Sequence, residues 1–380
     1  MKQWRVLIAP NAFKHSLNAE AVALAIQKGL QQSQLDCVCN CFPVGDGGDG
    51  TGNLLVKKYD GETVWVPVQD PLGRTISASY GLVNNGETAI VEMASASGIR
   101  LIKSHELNPL QATSFGTGSL IKHALDQGAK KIVLAVGGSA TVDGGMGILQ
   151  ALGVRFTDAA GQPITTTNDL IHLANIDCST LDQRIFSAFT ILCDVENTLL
   201  GEQGAAAVFG PQKGATPDAV QRLDTGLAMF AKIALEQTGF DMVACKHGGA
   251  AGGVAAGLYA FFKAQLVNGI DFFLDFTGFE QALNQTDLVI TGEGSIDEQT
   301  LQGKGPYGVA YRARQKNLPV IGLAGSVPLE LNVHLNLYFD LLLSISNGPA
   351  DLSTALGHTE QNLIRTAHQL GNFLNVCSLC

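Results

Sequence analysis

Val44-Gly45-Asp46-Gly47-Gly48-Asp49-Gly50-Thr51 closes an apolar run that begins near Asp36 and opens a helical pattern that continues to about Tyr59. A strand, a glycine turn and a helix in succession form the unit of a parallel α/β sheet, whose ligands gather at the carboxyl ends of the strands. Two similar stretches follow. Gly137-Gly138-Ser139-Ala140-Thr141-Val142-Asp143-Gly144-Gly145 comes after the strand pattern of Lys130 to Val136, and Thr291-Gly292-Glu293-Gly294-Ser295-Ile296-Asp297 comes after that of Asp287 to Thr291. Glycine lets backbone amides approach a ligand, and a carboxylate among those amides can hold a divalent cation. The combination suits a phosphorylated ligand.

Upstream, Trp4 to Ala9 reads as a buried first strand, and Asn18 is placed to cap a helix running to about Leu30. Downstream, Glu62 to Val68, Thr75 to Val83 and Thr88 to Met93 are strand-like with no helix between them, and Asp70-Pro71-Leu72-Gly73-Arg74 marks a turn. Further patterns predict a helix to Gln127, a strand over Ala188 to Val195 that carries Asp194 at its end, a loop over Gly204 to Gly214, and helices over Pro217 to Gln237 and up to Lys263. The last part predicts a helix over Gly308 to Gln315, strands over Pro319 to Ala324 and Phe339 to Ser344, and one final helix from Asp351 to Leu374. The expected fold class is α/β. A flavodoxin- or Rossmann-like parallel-sheet domain, 1–70 plus 285–380, is interrupted by an inserted α/β domain, 71–284.

Hydrophobic residues make up 46% and charged residues 15% of 380 positions, which describes a well-buried globular chain. A formal net charge of −10 without a basic run excludes a large nucleic-acid footprint, although a few Lys or Arg residues can still hold a small anion. No stretch is long and apolar enough for a membrane span, and the short N-terminal apolar run ends at Pro10, so a cytoplasmic protein is expected. Eight cysteines show no disulfide framework. Cys37, Cys39 and Cys41 alternate on one strand face, as reduced core residues do, and Cys377-Ser-Leu-Cys380 is a lone pair with little weight as a zinc site.

Gly45-x-Gly47-x-x-Gly50, with Asp70 about 20 residues on, matches the dinucleotide fingerprint, so an NAD(P)-dependent oxidoreductase is one rival reading. Asp46 and Asp49 oppose it. At about 4 Å and an effective dielectric near 20, each unit charge would repel a pyrophosphate charge by roughly 4 kcal/mol unless Mg²⁺ bridged them. The blander alternative is that these aspartates cap the following helix or turn. Gly137 to Gly145 resembles an anion nest at a helix N-terminus, with close helix–strand packing as its alternative. GxxxxGK[ST] occurs nowhere, which excludes a P-loop fold. Lys14, just past the first strand, can neutralise a carboxylate or phosphoryl group; His15 beside it is a minor candidate base, and Lys213 and Lys304 stand among glycines. Glu293 and Asp297 lie four apart, and Asp194 ends an apolar strand where a carboxylate needs a partner or a task.

Pro10-Asn11-Ala12-Phe13-Lys14-His15-Ser16-Leu17, Asp46 to Thr51, Gly137 to Thr141, Phe209-Gly210-Pro211-Gln212-Lys213-Gly214 and Thr291 to Gly294 together resemble the bacterial glycerate kinase family, from the first strand to the last helix. The resemblance implies ATP- and Mg²⁺-dependent phosphorylation of D-glycerate, usually at the 2-hydroxyl to give 2-phosphoglycerate, in a cleft between two α/β domains. On that reading Asp46 and Asp49 bind metal or acceptor, Glu293 binds metal, and Gly137, Gly138, Ser139, Thr141 and Gly292 bind the ATP phosphates. Lys14 meets the acceptor carboxylate or γ-phosphate, Lys213 binds substrate, and Asp194 or Asp297 activates the acceptor. The chain departs from the family pattern at Asn11 (Asp), Asp49 (Glu), Val142 (Asn) and Ser295 (usually Arg), which bears on acceptor and metal binding. A non-catalytic nucleotide sensor is the second rival, and the oligomeric state stays open, a homodimer included.

Overall fold

The computed structural model describes residues 3–193, 197–239, 241–330 and 332–377. Asp194, a candidate for acceptor activation, and Cys380 lie outside the described residues. The chain is mixed α/β and divides into two compact units, Met1–Asp46 with Ile270–Cys380, and Gly47–Gly269. The expected borders at 70 and 285 are displaced. Glu62–Gln69 pairs antiparallel with Thr75–Val83, so the chain joins the second unit's sheet well before residue 70.

The first unit is a five-stranded sheet in the order Leu341–Ser344, Val320–Ser326, Leu288–Ser295, Trp4–Ile8, Cys37–Cys41, with every pairing parallel. Strand Trp4–Ile8 lies between Leu288–Ser295 and Cys37–Cys41, with Val6 opposite Leu288 and Cys39. Helix Ala19–Gln31 begins where Asn18 Oδ1 accepts from the Ala21 amide at 2.8 Å, with Glu20 in its first turn and Lys28 in its last, each favourable to the helix dipole. It turns Val22, Ala23, Ile26 and Leu30 inward, where they pack with Leu363, Ala367 and Leu370 of helix Thr359–Cys377. That helix is separate from Leu352–Gly357, so the single final helix expected from Asp351 to Leu374 is two. The three strand cysteines pack partly buried against this core, and desolvation pushes the Cys39 thiol up to about 12, which keeps it protonated.

The second unit is a six-stranded mixed sheet in the order Gln265–Asn268, Phe189–Cys193, Lys131–Ala135, Thr88–Glu92, Thr75–Val83, Glu62–Gln69. Its first three pairings are parallel and its last two antiparallel. Helices Phe115–Asp126, Pro217–Thr238 and Ala250–Phe262 contribute Leu120, Leu227, Phe230 and Phe261 to its core. The expected loop over Gly204 to Gly214 contains the short helix Ala205–Phe209 and the 3₁₀ turn Pro211–Lys213. The hairpin of Arg155–Asp158 with Leu173–Asp177 has no counterpart among the sequence expectations.

Candidate active site

In a parallel sheet, side chains just past neighbouring strand ends converge on one rim. Here three adjacent strands deliver polar residues to that rim: Trp4–Ile8 leads to Asn11, Cys37–Cys41 leads to Asp46, and Leu288–Ser295 carries Glu293 near its end. Hydrogen bonds continue the ladder past the strands and fix their spacing. The Asn11 amide donates to Gly292 O at 2.8 Å, the Val44 amide to Pro10 O at 3.0 Å, and Thr291 Oγ1 to Ala9 O at 2.7 Å. Asn11, Asp46 and Glu293 are all buried. Asn11 Nδ2 donates to Asp46 Oδ2 at 2.7 Å, and the Gly305 amide, at the start of helix Gly305–Gln315, approaches the same oxygen at 3.4 Å. A carboxylate in place of Asn11 would have no proton to offer Asp46, so the carboxamide is what satisfies this buried oxygen.

Glu293 Oε1 accepts from Thr300 Oγ1 at 3.0 Å. Desolvation, more than the neighbouring charge of Asp46, lifts the Glu293 carboxyl to about 7, and Lys304, the Thr300 hydroxyl and Lys14 only partly offset it. Because the folded value is raised above the usual 4.5, the favourable contribution is fully present below pH 4.5 and is lost as pH rises through about 7. Chemical denaturation of Glu293→Gln at pH 4.5 and pH 8 should therefore lack a loss on the order of 3 kcal/mol that the unsubstituted chain shows across this window. An identical pH slope in both proteins would contradict the raised value.

Lys14 and His15 occupy the exposed turn Phe13 to Leu17, where His15 has φ 67°, and Lys14 acts electrostatically on Glu293. Asp297 is drawn into local structure. Its carboxylate caps the turn Glu298–Gln302 and takes the Gln299 amide at 2.9 Å, while its own amide donates to Thr300 Oγ1 at 3.1 Å. Asp297 thus orients the threonine that holds Glu293, a relay whose only sequence trace is the D-x-x-T spacing. The third glycine stretch is strand rather than loop through Ser295: Gly292 is buried within Leu288–Ser295, where a Cβ would run into the Leu323 carbonyl of the next strand.

In the second unit, strand Lys131–Ala135 leads into the Gly137–Thr141 turn. A Cβ on Gly137 would lie 2.6 Å from Gly48 Cα, and Gly138 takes φ 71°. The turn is strapped by Ile99 N to Gly138 O and Ala140 N to Ser97 O, both 2.9 Å. Among the described residues the Gly138 and Ser139 amides donate no hydrogen bond, and Thr141 Oγ1 is buried without a partner. Asp143 does not face a ligand; it is fully buried and accepts from Ser114 N and Oγ and from the Gly145 and Gly147 amides at 2.7–3.2 Å. The helix that follows, Met146–Ala151, has only six residues, too short for much of a dipole. Lys213 is not at a surface: its side chain is buried and donates to Ser139 Oγ at 2.9 Å and Thr141 O at 2.7 Å. Asp49 is exposed and paired with Arg100 Nη1 at 2.6 Å.

The Gly45-x-Gly47-x-x-Gly50 stretch does open helix Thr51–Lys58, but that N-terminus is occupied from within. Glu92 Oε1 accepts from the Gly50 amide at 2.9 Å and the Gly52 amide at 2.8 Å, so the chain supplies the anion a dinucleotide would have brought. Among the described residues no three His, Cys, Asp or Glu side chains gather as a metal site. Asp46 and Glu293 nonetheless act on one another electrostatically, and two hard carboxylates suit Mg²⁺, which takes one or two carboxylates and completes its shell with water and phosphate oxygens. No helix among the described residues is long and apolar enough to cross a membrane.

A profile of the glycerate kinase family matches residues 6–375. The chain is 42% identical to the glycerate kinase of Bacillus subtilis (strain 168), over 96% of each chain. It is 38% identical to the glycerate 2-kinase of Escherichia coli (strain K12), over 98% of each. A crystal structure of a Salmonella typhimurium LT2 protein assigned as a glycerate kinase 2 superposes with a TM-score of 0.85 at 42% identity, covering all of both chains. With the carboxylate rim and the amide-lined turn, these likenesses define a phosphotransferase with an alcohol group as acceptor. The chain belongs to the glycerate kinase family.

Proposed function

We propose that this enzyme phosphorylates D-glycerate with ATP and Mg²⁺, at the 2-hydroxyl. The observation that carries the reading is the buried Asp46–Glu293 pair on the rim of the first unit, with the charges of Lys14 and Lys304 bearing on it. The relative named glycerate 2-kinase supports the position of transfer. Phosphoryl transfer asks mostly for positioning and charge neutralisation. Glu293, whose proton affinity lies near neutrality, orients the acceptor hydroxyl and receives its proton. Asp46 is the group that would hold Mg²⁺, which when bound would neutralise phosphate oxygens. Gly138, Ser139 and Thr141 offer donors to the nucleotide phosphates in the second unit, and Lys14 offers its ammonium to the glycerate carboxylate.

A coupled ADP-release assay with and without D-glycerate tests the reading, with phosphorus NMR of the product to locate the phosphate. ATP turnover indifferent to glycerate would defeat the acceptor assignment, and a 3-phosphoglycerate signal would defeat the 2-position. Lys14→Ala should lower kcat/KM for glycerate at least about tenfold, mainly through KM, because a charge-assisted bond to a carboxylate is lost. Unchanged kinetics in a folded variant would take Lys14 out of the site.

A further inference from the structure

Lys213 is only 3% exposed, and desolvation lowers its ammonium to about 7 despite the opposing pull of Asp143. A fully desolvated lysine costs stability unless its hydrogens are used. Two are: one goes to Ser139 Oγ and one to Thr141 O, on either side of Ala140 in the turn that carries the Gly138 and Ser139 amides. The lysine is itself held firmly. It ends the 3₁₀ turn Pro211–Lys213, and the next residue, Gly214, has φ 94° in contact with Leu107.

From this geometry we infer that Lys213 is a positioning residue: by donating to Ser139 Oγ it makes that oxygen an acceptor and frees the serine hydrogen to serve, beside the Gly138 and Ser139 amides, as a third donor to a nucleotide phosphate. The inference rests on the assignment of Gly137 to Thr141 to the ATP phosphates. Amine and ammonium both carry at least two hydrogens, so the two observed bonds are donations in either protonation state. Without Lys213, Ser139 Oγ is free to spend its hydrogen on the vacated side, on Thr141 O or water. Lys213 then contributes to ATP affinity without touching ATP, which replaces the substrate-binding role its glycine-flanked sequence suggested.

The test is a double-mutant cycle on KM for ATP, with KM for D-glycerate as the internal control. S139A should raise KM for ATP about tenfold and K213M by less, about fivefold, both with glycerate KM within about twofold of the unsubstituted enzyme. In S139A/K213M the effect should be no larger than that of S139A alone, because the lysine acts through the serine. Independent, multiplying effects would overturn the inference while leaving the phosphate assignment intact. An unchanged KM for ATP in S139A would instead overturn the phosphate assignment itself. If K213M does not fold, the cycle runs with Lys213→Gln, whose carboxamide still donates and should retain part of the effect. Failure of both to fold would make Lys213 a folding requirement and also overturn the inference.

Discussion

Asp46→Asn should lower kcat/KM for ATP-dependent phosphorylation of glycerate by about 10²- to 10⁴-fold while leaving the fold in place. The side chain is nearly isosteric, and its oxygen can still accept from Asn11 Nδ2 at the position the carboxylate oxygen now occupies. What disappears is the charge. On the proposed reading that charge attracts the cation, and it is one of the two influences that raise the Glu293 carboxyl. The variant should therefore show a second signature: the acidic limb of the kcat/KM profile should move below its position in the unsubstituted enzyme, since a repelling anion has gone. A loss of activity smaller than tenfold, measured with saturating ATP and excess Mg²⁺, would remove Asp46 from the chemistry.

Glu293→Gln should lower kcat by about 10²-fold or more and abolish that acidic limb. With the unsubstituted carboxyl raised to about 7, activity should climb as pH rises through neutrality, because the ionised form is the one that accepts the hydroxyl proton. Gln can still accept the Thr300 hydroxyl hydrogen bond, so positioning survives and proton acceptance does not. An intact acidic limb in Glu293→Gln would assign the proton transfer to another group.

Most of the fold was legible because the strand–glycine–helix units carry their own punctuation. The helix starting after Asn18 appears as Ala19–Gln31, and Thr75 to Val83 is the strand the sequence outlines. Glycine was the weak point. Gly292 looked like a loop residue, yet it is there because the Leu323 carbonyl leaves no room for a Cβ, a cross-strand distance that no local pattern encodes. The same blindness displaced the unit boundary: strands without helices between them signalled a change of architecture, but only the pairing of Glu62–Gln69 with Thr75–Val83 shows on which side they belong. At the site, Asp46 and Glu293 stood out as carboxylates among glycines. Asn11 was marked only as a departure from the family pattern and Thr300 not at all, because their importance is relational: each satisfies one oxygen of a residue 35 or 7 positions away. Glu92 and Arg100 escaped notice for the same reason, as the partners of Gly50, Gly52 and Asp49.

The interleaving of the first unit also sets a timetable. Strand Trp4–Ile8 emerges early in synthesis, but its neighbour Leu288–Ser295 comes some 280 residues later. At about 5–20 residues per second, that is a delay of roughly a quarter of a minute to a minute. Throughout it the leading segment has one parallel strand, Cys37–Cys41, for company, and helix Ala19–Gln31 keeps its apolar face open until Thr359–Cys377 is made. The second unit, complete by Gly269, has every strand of its sheet in hand well before then. An unpaired edge and an uncovered apolar helix are what recruit chaperones or neighbouring chains. The first unit is therefore the part of the chain most exposed to interrupted translation.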